Sequence, residues 1–155
     1  MVFVSVGMQK IHFNRIFEYL KNIDDLVVIQ CDINKIEPRD NYEIYNYLTP
    51  EEIKKYIDKC DLFISHGGPS NIMYALIKNK KVIVVPRMKK YREHINDHQI
   101  IFADYLQKNN YAFVAKDEKE FIKCLNSKRK LNKYQSNYNN FKKDIENEIN
   151  RLLGE

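Results

Sequence analysis

Cys31, Cys60 and Cys124 are the only three cysteines, widely separated and without a C-x-x-C pair. That spacing excludes a zinc ribbon and argues against a disulfide framework, so a cytoplasmic chain is expected. No apolar run approaches the ~20 residues that a membrane-spanning helix needs. The opening Met1-Val2-Phe3-Val4-Ser5-Val6 has neither the basic start nor the longer apolar stretch of a signal peptide. Glycine and proline number four each, and there is no Gly/Ser linker and no internal repeat. The patterns G-x-x-x-x-G-K and G-x-G-x-x-G are missing, which takes most support from ATPase and nicotinamide-dinucleotide readings. No D-x-D occurs either, so the carboxylate pair that commonly holds a metal-bound nucleotide-sugar is absent.

What remains is an ordinary globular composition. The chain has 155 residues, 44% apolar and 30% charged, with a formal charge of +5. One domain is expected, large enough to fold without a metal or disulfide staple. The positive charge is too dispersed for a nucleic-acid protein, which clusters Lys and Arg with interleaved aromatics on one face. The exception is a stretch holding Lys78, Lys80, Lys81, Arg87, Lys89, Lys90 and Arg92. It reads as a solvated face, or as a contact for a phosphate-bearing ligand or an anionic membrane.

Apolar runs alternate with amphipathic stretches throughout. Strands are expected at Val2–Val6, Leu26–Ile29, Ile44–Leu48, Asp61–Ser65, Val82–Val85 and Tyr111–Ala115. Helices are expected around the Phe13, Ile16, Phe17, Leu20 stripe, after Thr49-Pro50-Glu51-Glu52, around Ile72 to Ile77, and over Ile95–Lys108 and Glu118–Leu125. Short apolar strands separated by ~10–15-residue helices predict an α/β fold, a Rossmann-like parallel sheet with helices on both faces. Residues 1–125 would be its core. Residues 126–155 would be a polar connection leading to an amphipathic C-terminal helix, marked by Phe141, Ile145, Ile149 and Leu152.

Ligands of open parallel sheets bind at the carboxyl ends of strands. Three segments fall there. Gly7 after the first strand is a weak signal alone. Ser65-His66-Gly67-Gly68-Pro69-Ser70-Asn71 joins strand to helix and reads equally as a capped tight turn or as a phosphate site on a helix N-terminus. Glu93-His94-Ile95-Asn96-Asp97-His98-Gln99 is dense in groups that hydrogen-bond hydroxyls, which suits a sugar. His94 and His98 lack the H-E-x-x-H pattern and a third ligand, so no metal or cofactor is expected.

The run from His66 to Leu76, the strand Val82–Val85 with Pro86-Arg87, and Glu93–Gln99 together resemble the glycosyltransferase family 28 C-terminal domain. Val4-Ser5-Val6-Gly7 and Phe13-Asn14-Arg15-Ile16 are similar to the start of its stand-alone members. The resemblance implies the donor-binding half of a GT-B glycosyltransferase, working with a membrane-associated acceptor-binding partner subunit. It implies inverting, metal-independent transfer of a hexose, galactose in capsular or exopolysaccharide assembly, from a UDP-sugar donor to a lipid-linked sugar acceptor. The chain would sit in the cytoplasm, peripheral to the inner face of the plasma membrane through that partner. Gly68 to Asn71 would face the diphosphate, Arg87 would offset its charge, and His98 and Gln99 would reach hexose hydroxyls. His12, Glu93 and His94 are the candidate bases. Tyr74 stands where larger members carry the Glu that holds the ribose, and Met8 replaces a frequent Thr. The alternative is a non-catalytic nucleotide-sugar-binding regulatory subunit.

Overall fold

The computed structural model describes residues 1–7 and 11–135. The expected terminal amphipathic helix and Met8 lie outside those residues. Six strands form one parallel sheet: β1 (Val2–Ser5), β2 (Val27–Gln30), β3 (Tyr42–Tyr45), β4 (Leu62–Ser65), β5 (Lys81–Val84) and β6 (Phe113–Val114). Their order is β3-β2-β1-β4-β5-β6, so the chain reverses direction across the sheet between β1 and β4. Helices α1 (Asn14–Leu20) and α5 (Glu118–Asn126) cover one face; α2 (Pro50–Lys59), α3 (Pro69–Ile77) and α4 (His98–Lys108) cover the other. This is the Rossmann-like arrangement expected.

Both faces of the sheet are apolar because every central strand is buried on both sides. Val4, Ile29, Ile64 and Ile83 pack with Ile16, Leu20 and Phe121 on one side. Phe3, Val28, Phe63 and Val82 pack with Ile57, Ile72, Ala75 and Leu106 on the other. The three thiols are free and buried, and burial pushes Cys31 up to about 12 and Cys60 up to about 11. Among the described residues no helix is long and apolar enough to cross a membrane.

Two boundaries differ most from the sequence expectation. The third strand is Tyr42–Tyr45 rather than Ile44–Leu48, because this edge strand alternates half-buried with exposed residues instead of forming an apolar run. The helix expected from Ile95 begins at His98. The residues before it form a short 3-10 turn at Lys89–Tyr91 and a loop held by side-chain bonds.

The basic stretch divides between opposite ends of the sheet. Lys80 Nζ donates to the carbonyls of Asp58 and Cys60, closing the end of α2. Lys81 Nζ donates to those of Leu125 and Ser127, closing the end of α5 on the opposite face. Lysines at helix C-termini satisfy carbonyls that have no partner within the helix.

Candidate functional site

Two helix N-termini meet where β4 and β5 end. α3 begins at Pro69 behind Gly68 and α4 at His98 behind Asp97; neither has a side-chain cap or an acidic residue in its first turn. The helices beside the edge strands are built differently. α2 has a full capping box between Thr49 and Glu52, with Glu51 alongside, and α5 has Asp117 as cap with Glu118 and Glu120. At α4 the N-cap residue is itself the acid Asp97, and Asn96 Oδ1 accepts from His98 N at 3.3 Å. Of the two helices, α3 therefore keeps open amides and an unopposed positive dipole end in the middle of the sheet edge, the arrangement that binds phosphate.

Ser70 is exposed and Asn71 half-buried at the start of α3, and neither side chain has a hydrogen-bond partner among the described residues. His66 lies just below them. Its ring is wedged between two glycines: a Cβ on Gly68 would come within 2.5 Å of Nε2, and one on Gly7 within 2.8 Å of Cε1. Gly7 also has φ of +74°, which a side chain would strain. Nδ1 stands 3.5 Å from Ser5 O, an acceptor, which puts the proton on Nδ1 and leaves Nε2 unprotonated. Burial first, then the Arg87 charge, lowers the His66 pKa to about 4, so the ring is neutral.

Gly67 has a packing reason to be glycine. A Cβ there would meet Gln99 Cβ at 2.5 Å. Gln99 Oε1 accepts from Gly67 N at 2.9 Å and Arg87 N at 3.0 Å, tying the β4 and β5 loops together. The Gln99 oxygen, expected to reach a hexose, is thus spent on the scaffold.

Arg87 also differs from its expected position. It is only 1% exposed, and its guanidinium donates to the carbonyls of Val6, Ile11 and Glu93. It bolts the first loop to the β5 loop rather than projecting toward a ligand. Burial lowers its pKa from the usual value. A cavity of about 240 Å³ opens beside it, lined by Gly7, Phe13, Cys31 and Asp32 among others.

Glu93 is 4% exposed and holds Arg15 with both oxygens, at 2.7 and 3.0 Å, while accepting from Met88 N at 3.0 Å. Arg15 also donates to the Pro86 carbonyl. A carboxylate so bound is poorly placed as a base. No local pattern hints at this pairing, since the partners lie 78 positions apart. Asp97 Oδ1 accepts from Lys89 N and shapes the same loop.

The His94 and His98 rings meet edge to face at 4.6 Å. Asn96 N donates to His94 Nδ1 at 3.3 Å, so Nδ1 is occupied as an acceptor. His98 is exposed, with Nδ1 against Asn96 Oδ1, so its Nε2 is the atom left to accept. Tyr74, on α3, donates to Asp58 at 3.0 Å.

The model of the glycosyltransferase family 28 C-terminal domain matches residues 2–151. The chain belongs to this family. Among curated proteins, the chain is similar to the UDP-N-acetylglucosamine transferase subunit ALG13 of Candida albicans, 30% identical over 112 residues, which are 72% of this chain and 33% of that protein. The human protein of the same description is 34% identical over 71 residues, 46% of this chain and 6% of its own length. The family 28 chain thus spans a third or less of these relatives. Its fold is shared with the glycosyltransferase SnogD from Streptomyces nogalater at a TM-score of 0.58 and 16% identity, covering 81% of this chain and 34% of that one.

Proposed function

We propose that this protein is the donor-binding half of a two-subunit glycosyltransferase that takes a sugar from a UDP-sugar and passes it to a lipid-linked saccharide. The observation that carries the reading is the uncapped, acid-free N-terminus of α3 behind Gly68, at the centre of the sheet edge. As the acceptor hydroxyl attacks the anomeric carbon, negative charge grows on the departing UDP diphosphate. The amides near Ser70 and Asn71, with the α3 dipole, stabilise that charge in place of a metal. His66, neutral, holds the Gly7 and Gly68 loops apart at the correct spacing, while Gln99 and Arg87 lock them. His98 Nε2 accepts from a hexose hydroxyl. Glu93 is engaged with Arg15 and His94 Nδ1 accepts from Asn96 N, so the base that removes the acceptor proton is the exposed His12 or a group of the partner subunit.

The ALG13 relatives are by name UDP-N-acetylglucosamine transferase subunits, which makes UDP-N-acetylglucosamine the first donor to test and supports a partner. Galactose in capsular assembly, expected from the resemblance, is the second. Calorimetric titration of the chain with UDP, UDP-N-acetylglucosamine, UDP-galactose and UDP-glucose, in EDTA, separates them. UDP binds without metal, one sugar binds better than the rest, and S70A/N71A weakens UDP by about tenfold, as expected for lost hydrogen bonds to a charged group. Unchanged affinity in that variant sinks the site.

A further inference from the structure

The basic stretch has a second half that the donor site leaves unused. Lys89, Lys90 and Arg92 are exposed at the carboxyl end of the sheet, and none is in an ion pair among the described residues. Of the carboxylates near them, Glu93 is paired with Arg15 and Asp104 with Lys116 at 2.7 Å, while Asp97 accepts from Lys89 N, so the three cations outnumber the one unpaired carboxylate. Apolar side chains stand among these cations. Ile95 is 77% exposed and Ile101 72%, with Tyr91 and Tyr105 about half exposed. The His94–His98 ring contact holds the loop carrying Ile95 against the first turn of α4. Ile101 follows His98 by one turn, and Tyr105 by two. The loop itself is tethered through Glu93 to Arg15 and Met88 N.

We propose that Ile95, Ile101 and Tyr105, together with the exposed cations Lys89, Lys90 and Arg92 of the preceding loop, dock directly on an anionic lipid bilayer. Isoleucines held out in water by a braced loop and helix lose hydration cost when they enter the acyl boundary. Tyrosine suits the headgroup level, and an excess of cations outside ion pairs is drawn to lipid phosphates. The lysines favour lipid over protein as occupant, because protein interfaces are depleted in lysine. The contact stands independently of the donor reading, and it belongs to this chain rather than to a partner subunit.

Co-sedimentation of the full chain with vesicles tests it, using phosphatidylcholine alone and phosphatidylcholine with about one-third phosphatidylglycerol. The chain pellets with the anionic vesicles, weakly with neutral ones, and releases as salt rises to about 0.5 M. I95S/I101S weakens binding by about tenfold or more. Should that variant melt early, K89Q/K90Q/R92Q carries the same expectation through charge alone. Absence of wild-type binding to anionic vesicles overturns the proposal. So does binding that survives in well-folded variants, since it must then come from another surface. Titration with UDP reads the donor site separately, so failure there leaves this result intact.

Discussion

His66 packs its ring between the α-carbons of Gly7 and Gly68, and burial beside Arg87 lowers its pKa to about 4. The unfolded chain titrates the same imidazole near its ordinary value of about 6.5. Between those two values the unfolded state binds more protons, so stability rises with pH across the window. The contribution of the neutral ring is complete above about 6.5 and is lost as pH falls to about 4, with a ceiling of about 3 kcal/mol. Urea midpoints measured from pH 7 down to pH 4 will fall more steeply for the native protein than for H66N. Equal slopes would remove His66 as the cause.

At the scale of elements, the helix starts separate what the sequence spells out from what only the fold decides. Thr49-Pro50-Glu51-Glu52 announces α2, and the capping box is there, with Glu52 N donating to Thr49 Oγ1 at 3.2 Å and Thr49 N to Glu52 at 2.8 Å. T49A therefore costs about 1 kcal/mol in urea unfolding. The start of α4 was hidden because Glu93 and Asp97 bond within the loop and to Arg15, and no local pattern encodes such partners. For the same reason Gln99 and Arg87 could be singled out by position but not by task. Removing one side of the buried Arg15–Glu93 pair leaves a stranded charge, so R15A costs about 3–5 kcal/mol, several times the loss in T49A. Comparable losses in the two variants would mean that the pair is solvated in solution.

The molecule as a whole has one sheet whose two faces are covered by separate helix sets, and neither layer can lose its packing without baring the shared strands. Unfolding in urea is therefore a single transition, with backbone circular dichroism and the absorbance of the 11 tyrosines coinciding and a slope of about 1–3 kcal/mol per molar. Separated curves would divide the chain into independent parts. The neighbouring lysines at the head of β5 bear on how that single arrangement is chosen. Lys80 reaches one layer and Lys81 the other, and each closes the tail of a different helix. A slip of β5 by one residue would swap the two, aiming each ammonium at the wrong layer and leaving both helix tails bare. Two adjacent, chemically identical side chains thus act as a key that fits one alignment of the strand and rejects its neighbours.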